Sequence, residues 1–74
     1  MNITELRYLV AIKKWGSVSA AAKQLYAAQP NISKALKNLE GEYGLRIFER
    51  SSTGMIPTEQ GRRFIEQARG CWKR

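Results

Sequence analysis

The sequence contains no histidine and a single cysteine, Cys71, among its 74 residues. Most transition-metal sites need histidine or several cysteines, and a disulfide framework needs cysteines in pairs. Nucleophilic catalysis by a serine or cysteine also lacks its usual histidine base here. We therefore expect this segment to have no enzymatic activity and to bind no metal ion and no cofactor. Without a neighbouring base, Cys71 is expected to be a small apolar side chain rather than a reactive thiol.

Long apolar runs are also absent. The longest covers residues 8–12, whereas a transmembrane helix needs roughly 20 apolar residues. The residues after Met1 do not have the charged and then apolar order of a secretion signal. With 2 Pro, 6 Gly and 43% hydrophobic residues, the composition is typical of one small folded domain. These features predict a cytoplasmic protein with no membrane partner.

Acidic residues are scarce, because 6 Asp and Glu stand against 13 Lys and Arg, which gives a net charge of +7. The isoelectric point of about 10.1 is typical of a protein that binds a polyanion, since neutralising phosphates releases counterions. Charge alone does not distinguish such a protein from an ordinary basic domain. A chain this short buries only about 60% of the surface of its unfolded form, so we also expect a partner or a second copy.

Helical periodicity predicts three helices in the first half of the chain. The first covers residues 3–15, and the second covers residues 18–25 after a cap at Ser17. A third begins at Gln29, with Pro30 in its first turn, where the missing N–H costs little.

The third helix is predicted to have two different faces. Ile32, Leu36 and Leu39 follow one another at i, i+4 and i+7, which predicts a buried stripe. The opposite face is polar and cationic, and it includes no acid before Glu40. Gln and Asn can pair with adenine and Lys can reach guanine or phosphates. Chemically suited side chains are Gln29, Asn31, Lys34 and Asn38.

The second half of the chain predicts a β-hairpin and a last helix. Residues 47–50 alternate between apolar and polar, and a turn-forming stretch over residues 51–54 follows. Since strands this short are marginal alone, we expect the hairpin to lean on the helices through Ile47, Phe48 and Ile56. Thr58 is predicted to cap the last helix.

The fold class is thus mainly α: a winged helix-turn-helix with three helices and a short β-hairpin wing, followed by a last helix. We place the winged helix-turn-helix at residues 1–58 and this last helix, called here the linker helix, at residues 59–74.

On the first helix, a second apolar cluster of Tyr8, Ile12 and Trp15 lies opposite the face of Ile3, Leu6, Leu9 and Val10. The last helix has one apolar stripe, which includes Phe64, Ile65, Ala68, Cys71 and Trp72. We interpret the second cluster and the stripe as a surface through which two copies pair. In the alternative, the last helix closes onto the first helix of its own chain. The predicted dimer surface consists of Tyr8, Ile12, Trp15, Phe64, Ile65, Ala68, Cys71 and Trp72.

Several short motifs occur in order along the whole chain. They are Leu6-Arg7-Tyr8-Leu9-Val10-Ala11, Gly16-Ser17-Val18, Ala21-Ala22 with Leu25, Gln29-Pro30 with Ile32-Ser33, Leu39-Glu40, Gly44-Leu45 with Phe48-Glu49-Arg50, and Thr58-Glu59-Gln60-Gly61. Together they resemble the N-terminal region of the LysR-type transcriptional regulators of bacteria. The resemblance implies sequence-specific binding of double-stranded DNA by a dimer on an interrupted inverted repeat. It also implies pairing through the linker helix, and it is compatible with a homotetramer of a full-length protein. In a complete family member an effector-binding domain would follow, so we expect an excised DNA-binding region whose small-molecule effector binds elsewhere. The alternative is a naturally short protein.

The resemblance also implies which residues contact DNA. The major groove would be entered by Gln29, Pro30, Asn31, Ser33 and Lys34. Ser17 and Lys37 would touch the backbone, and Arg50, Ser52 and Thr53 of the wing would lie near the minor groove. For Arg50 the alternative is a surface ion pair with Glu49 or Glu42, worth less than about 1 kcal/mol.

Two residues depart from the family pattern. Ala28 replaces the usual Ser or Thr cap of the third helix, which weakens the helix start by ~1 kcal/mol. Thr53 stands where Arg is common, and a hydroxyl is drawn less strongly into a narrow minor groove than a guanidinium.

Two other function classes remain open. A protein-interaction module is suggested by the apolar residues Tyr8, Trp15 and Trp72. A membrane-surface peptide is suggested by the basic amphipathic end over residues 59–74.

Overall fold

The computed structural model describes residues 2–72 of the chain, and the side chains of residues 2–70. In chain order, the elements are α1 (Ile3–Trp15), α2 (Val18–Leu25), α3 (Gln29–Tyr43), β1 (Phe48–Ser51), β2 (Gly54–Pro57) and α4 (Glu59–Trp72). This arrangement confirms the predicted fold class, because a two-stranded antiparallel wing follows three helices and precedes a fourth. No helix in the described part is both long and apolar enough to span a bilayer.

The first two helices begin with side-chain caps that satisfy free backbone donors. The Asn2 side chain accepts from the Glu5 amide at 2.8 Å, and the Glu5 carboxylate accepts from the Asn2 amide at 3.1 Å. This reciprocal pair is a capping box. At the start of α2, the Ser17 hydroxyl accepts from the Ala20 amide at 2.9 Å. Both helix starts are therefore set by local sequence.

The turn between α2 and α3 depends on a left-handed residue, Tyr26, with φ 54° and ψ 39°. It is the only non-glycine residue with positive φ in the described part of the chain. Its side chain is 98% exposed, so no packing compensates for the conformation. The left-handed turn directs the chain into α3 three residues later.

The core is built around α1, which packs against α2, α3, α4 and β2. Small side chains at Ala21 and Ala22 are buried where α2 packs on this core. The largest fully buried side chains are Leu9, Ile12, Ile32, Leu39, Ile47 and Ile65. Both apolar faces of α1 are therefore used largely within one chain.

This central position of α1 corrects part of the predicted dimer surface. Ile12 and Ile65 are fully buried in the core of the chain, and Ala68 is buried as well. They have almost no surface left for a second copy, and Ile12 and Ile65 hold α1 and α4 in one core. For them the alternative applies, in which α4 closes onto its own chain.

The rest of that predicted surface is mixed. Tyr8 and Phe64 are half-buried against the core. The ring centroids of Phe64 and Tyr43 are 4.9 Å apart. Trp15 is 43% exposed. The side chains of Cys71 and Trp72 lie outside the described residues.

The wing packs through a different residue of β2 than the sequence predicts. Ile47 and Phe48 are buried as expected, but Ile56 is 45% exposed, while Met55 packs against the core. In the antiparallel register, Ile56 pairs with Glu49. Residues directly opposite share one face of the sheet, so Ile56 lies on the face away from Phe48. The prediction that Ile56 packs on the helices is therefore wrong, and the neighbouring residue Met55 packs there instead.

Candidate nucleic-acid interface

Over its first ten residues, the side of α3 opposite the core is polar or cationic apart from the proline near its N-terminus. Ile32, Leu36 and Leu39 are buried and fix the helix in the core. Over the first ten residues of α3, the exposed residues, called here the α3 face, are Gln29, Pro30, Asn31, Ser33, Lys34, Lys37 and Asn38. Gly41, Glu42 and Tyr43 are exposed beyond them, in the last turn of the helix. A helix fixed in this way presents its polar side chains in a constant orientation.

Positive charge on the α3 face is not balanced by ion pairs. Within residues 2–70, the ion pairs are Arg62 with Glu66 and Arg63 with Glu59, each at 3.2 Å and each on α4. The nearest acid along α3, Glu40, directs a carboxylate oxygen to backbone amides of the wing. Lys34 and Lys37 are therefore available to an external anion.

The start of α3 has no side-chain cap, as the alanine at position 28 predicts. Ala28 is the N-cap and makes no side-chain hydrogen bond, although its carbonyl accepts from the Asn31 amide at 3.0 Å. The first turn also contains no acid. The positive end of the helix dipole is therefore left for an external negative charge, which helix N-termini bind well.

Ser17 lies at the start of α2, where it is half-buried. Its oxygen accepts from the Ala20 amide. A hydroxyl that accepts in this way keeps its proton for a second partner. The cap is therefore compatible with donation to a phosphate oxygen.

The tip of the wing is ordered by its own hydroxyl groups. The Ser51 hydroxyl donates to the Gly54 carbonyl at 2.9 Å and lies 3.1 Å from the Thr53 hydroxyl. Ser52 and Arg50 are exposed. Arg50 forms no ion pair with any described residue, so the alternative of a surface pair with Glu49 or Glu42 is not realised.

Three residues to which the sequence analysis gave no role attach the wing to the rest of the domain. They are Met55, Gly54 and Glu40. The Met55 amide donates to the Gly16 carbonyl at 2.7 Å. Gly54 has φ 132°, and a Cβ at this position would overlap the same carbonyl. At the other end, the Glu40 carboxylate accepts from the amides that open the wing. For Glu40, the sequence shows only that it is the first acid of the third helix. Helical periodicity does not show that its carboxylate bonds to amides of the wing.

Residues 3–62 match the family model for the bacterial regulatory helix-turn-helix protein, lysR family. The chain belongs to the LysR family. The match covers all predicted DNA-contact residues, from Ser17 to Thr53, and it ends before the α4 residues of the predicted dimer surface.

Curated relatives support this membership. The HTH-type transcriptional regulator TcbR of Pseudomonas sp. (strain P51) is 38% identical over 69 residues, which cover 93% of this chain and 24% of TcbR. The uncharacterized HTH-type transcriptional regulator YcgK of Bacillus subtilis (strain 168) is 43% identical over 68 residues, with 92% and 21% covered. This LysR-family chain therefore spans about a quarter of the length of the curated relatives it matches.

Solved structures agree in sequence and in fold. The CbnR_DBD–DNA complex is similar to this chain with 36% identity and a TM-score of 0.90, covering 99% of this chain and 84% of that one. The complex of BenM_DBD with benA site 1 DNA has 36% identity and a TM-score of 0.87, with 97% and 81% covered. The chain therefore matches the fold of these two DNA-binding domains over nearly all of its length.

Proposed function

We propose that this chain is the DNA-binding part of a bacterial LysR-type regulator of transcription, and that it places α3 in the major groove of double-stranded DNA. The observation that carries the proposal is the α3 face, which is exposed and free of acids while its opposite side is fixed in the core. The two similar domains of CbnR and BenM were both solved with DNA bound.

The chemistry of the side chains divides the contacts of this interface into three groups. Gln29 and Asn31 can donate and accept at an adenine edge, and Lys34 can reach guanine acceptors. Pro30 and Ser33 accompany them at the helix start. Lys37 and Ser17 suit phosphate oxygens, which fix the register without reading sequence. Arg50, Ser52 and Thr53 would lie near the minor groove at the wing.

Substitution of Gln29 tests base reading. A preferred duplex is first selected from random sequences, and Gln29→Ala is then expected to weaken binding to it by ~1 to 3 kcal/mol. Binding to an unrelated duplex should change little. Gln67→Ala, which removes the same group from the exposed surface of α4, is the control and should bind as the parent does. Equal losses on both duplexes would exclude a base contact by Gln29.

We further propose that two copies pair and bind an interrupted inverted repeat through their two α3 helices. Trp15 of α1 is 43% exposed, so part of its indole ring is open to a second copy. The pairing surface retained from the sequence analysis is Tyr8, Trp15 and Phe64 together with the linker helix.

Pairing is tested by sedimentation of Trp15→Glu, which should shift the chain from dimer to monomer. Tyr26→Glu places the same charge on an exposed aromatic position elsewhere and should leave the mass unchanged. A parent chain that sediments as a monomer at high concentration would contradict pairing through this segment.

The remaining expectations belong to the whole regulator. We propose action in the cytoplasm and an effector that binds outside this segment. The alternative function is a protein-interaction module that does not bind DNA. The acid-free α3 face does not favour this alternative. Retention on duplex DNA at low salt, lost as salt rises, separates the two functions.

A further inference from the structure

Glu40 connects α3 to the base of the wing. The residue is half-buried, and its Oε2 atom accepts from the Ile47 amide at 2.9 Å and from the Phe48 amide at 3.4 Å. A carboxylate that accepts from backbone amides forms charge-assisted bonds, which are stronger than neutral ones. The helix that carries the α3 face therefore also holds the first residue of β1.

The same peptide is held from the other side by α4. The Thr58 amide donates to the Ile47 carbonyl at 3.0 Å, and the Thr58 hydroxyl donates to the Arg46 carbonyl. A Cβ at Gly61 would overlap the Ile47 carbonyl, so α4 lies directly against this peptide. Removal of Glu40 would thus leave the wing base bonded to Thr58, against α4 and packed in the core through Ile47 and Phe48, but without its hydrogen bonds to α3.

The connection extends to the exposed residues of the wing. Arg50 is two residues beyond Phe48 on β1, or about 7 Å along an extended strand. It pairs with Met55, whose amide holds the wing to the Gly16 carbonyl. A shift of Phe48 relative to α3 would be carried along this short strand towards Arg50, and the hydrogen bond between Met55 and Gly16 would oppose it there.

We propose that Glu40 is a positioning residue for DNA binding, which sets the place of the wing relative to α3 and thereby the place at which Arg50 meets DNA. Glu40 itself does not touch DNA. The proposal rests on the proposed function, because it takes Arg50 as a DNA contact.

A double-mutant cycle tests the proposal on the preferred duplex. Arg50→Ala and Glu40→Ala are each expected to weaken binding about threefold or more, and the double variant should be no weaker than the weaker single variant. Glu40→Gln keeps an oxygen acceptor and should bind within about twofold of the parent. Losses that multiply in the double variant, or a Glu40→Gln loss as large as that of Glu40→Ala, would overturn the proposal.

A second cycle shows whether the effect is confined to the wing. Gln29 lies on α3, which the core holds independently of Glu40, so the losses from Gln29→Ala and Glu40→Ala should multiply. If Glu40→Ala instead cancels the effect of Gln29→Ala, the residue supports the whole domain and the positioning role is wrong.

Hydrogen exchange of the free protein provides a measurement without DNA. In Glu40→Ala, the amides of β1 and β2 should exchange about tenfold faster relative to Leu36 of α3, and Glu40→Gln should restore them. Unchanged wing amides overturn the proposal whatever the DNA result. If Arg50→Ala binds as the parent does, the wing contact in the proposed function fails and Glu40 has no role in binding, while the Gln29 test of α3 stands separately.

Discussion

Tyr26 has a left-handed backbone, which its side chain does not stabilise by packing, although its amide and that of Ala27 donate to the last carbonyls of α2. It adopts a left-handed conformation, which costs an L-residue with a Cβ about 1 to 2 kcal/mol. Its side chain is almost fully exposed, so the ring contributes little packing. The side chain at position 26 is therefore unfavourable for the backbone conformation that this turn requires.

Replacement of Tyr26 by Asn should stabilise the domain. Asn tolerates the left-handed region better than other residues with a Cβ, so we expect the free energy of unfolding to rise by about 1 kcal/mol. Tyr26→Ala keeps the backbone strain and is the control, with a change within about 0.5 kcal/mol. Urea denaturation of the three proteins measures both effects. Equal stability of the Asn and Ala variants would show that the strain is absent.

For single residues, the sequence predicts whether a side chain is exposed better than it predicts which residues that side chain contacts. The residues of the α3 face are exposed as predicted, because the 3.6-residue period fixes which side a helical residue occupies. The role of Glu40 could not be predicted, since its partners at residues 47 and 48 depend on how the wing folds back. DNA contact by the α3 face and by the wing stays a prediction.

Among the elements, the helices are more predictable than the wing. The bounds of α1 and α2 agree with the helical periods and caps, but Met55 rather than Ile56 packs inward. Adjacent apolar residues in a short strand do not indicate which one faces the core, and one position reverses the faces. Likewise, the sequence shows that Ile12 is apolar but not that α1 is surrounded on several sides.

Two helical glycines should respond to alanine in opposite directions. In α3, a Cβ at Gly41 would meet only open space, so Gly41→Ala should stabilise the domain by up to about 1 kcal/mol. In α4, a Cβ at Gly61 would overlap the Ile47 carbonyl, so Gly61→Ala should destabilise it by at least about 2 kcal/mol.

Urea denaturation of both variants checks this pair. Helix propensity alone would stabilise both proteins by the same amount. A Gly61→Ala variant as stable as the parent would therefore contradict the close approach of α4 to the wing base.

For the whole molecule, the location of positive charge matters more than its total. The chain has a net charge of +7, but Arg62 and Arg63 are paired with acids on α4. Lys34 and Lys37 on the α3 face have no such partners in the described part of the chain. If DNA lies against the α3 face, only cations near it release counterions on binding.

The salt dependence of binding separates location from total charge. Lys37→Ala should reduce the slope of the logarithm of the binding constant against the logarithm of salt concentration by about 1. Arg63→Ala removes the same charge from an exposed pair on α4 and should leave that slope unchanged. Fluorescence anisotropy of a labelled duplex, measured between about 50 and 200 mM salt, gives both slopes. Equal reductions of the two slopes would mean that binding depends on the net charge of the chain rather than on the α3 face. A localised interface predicts different slopes, because a cation far from the DNA neutralises no phosphate.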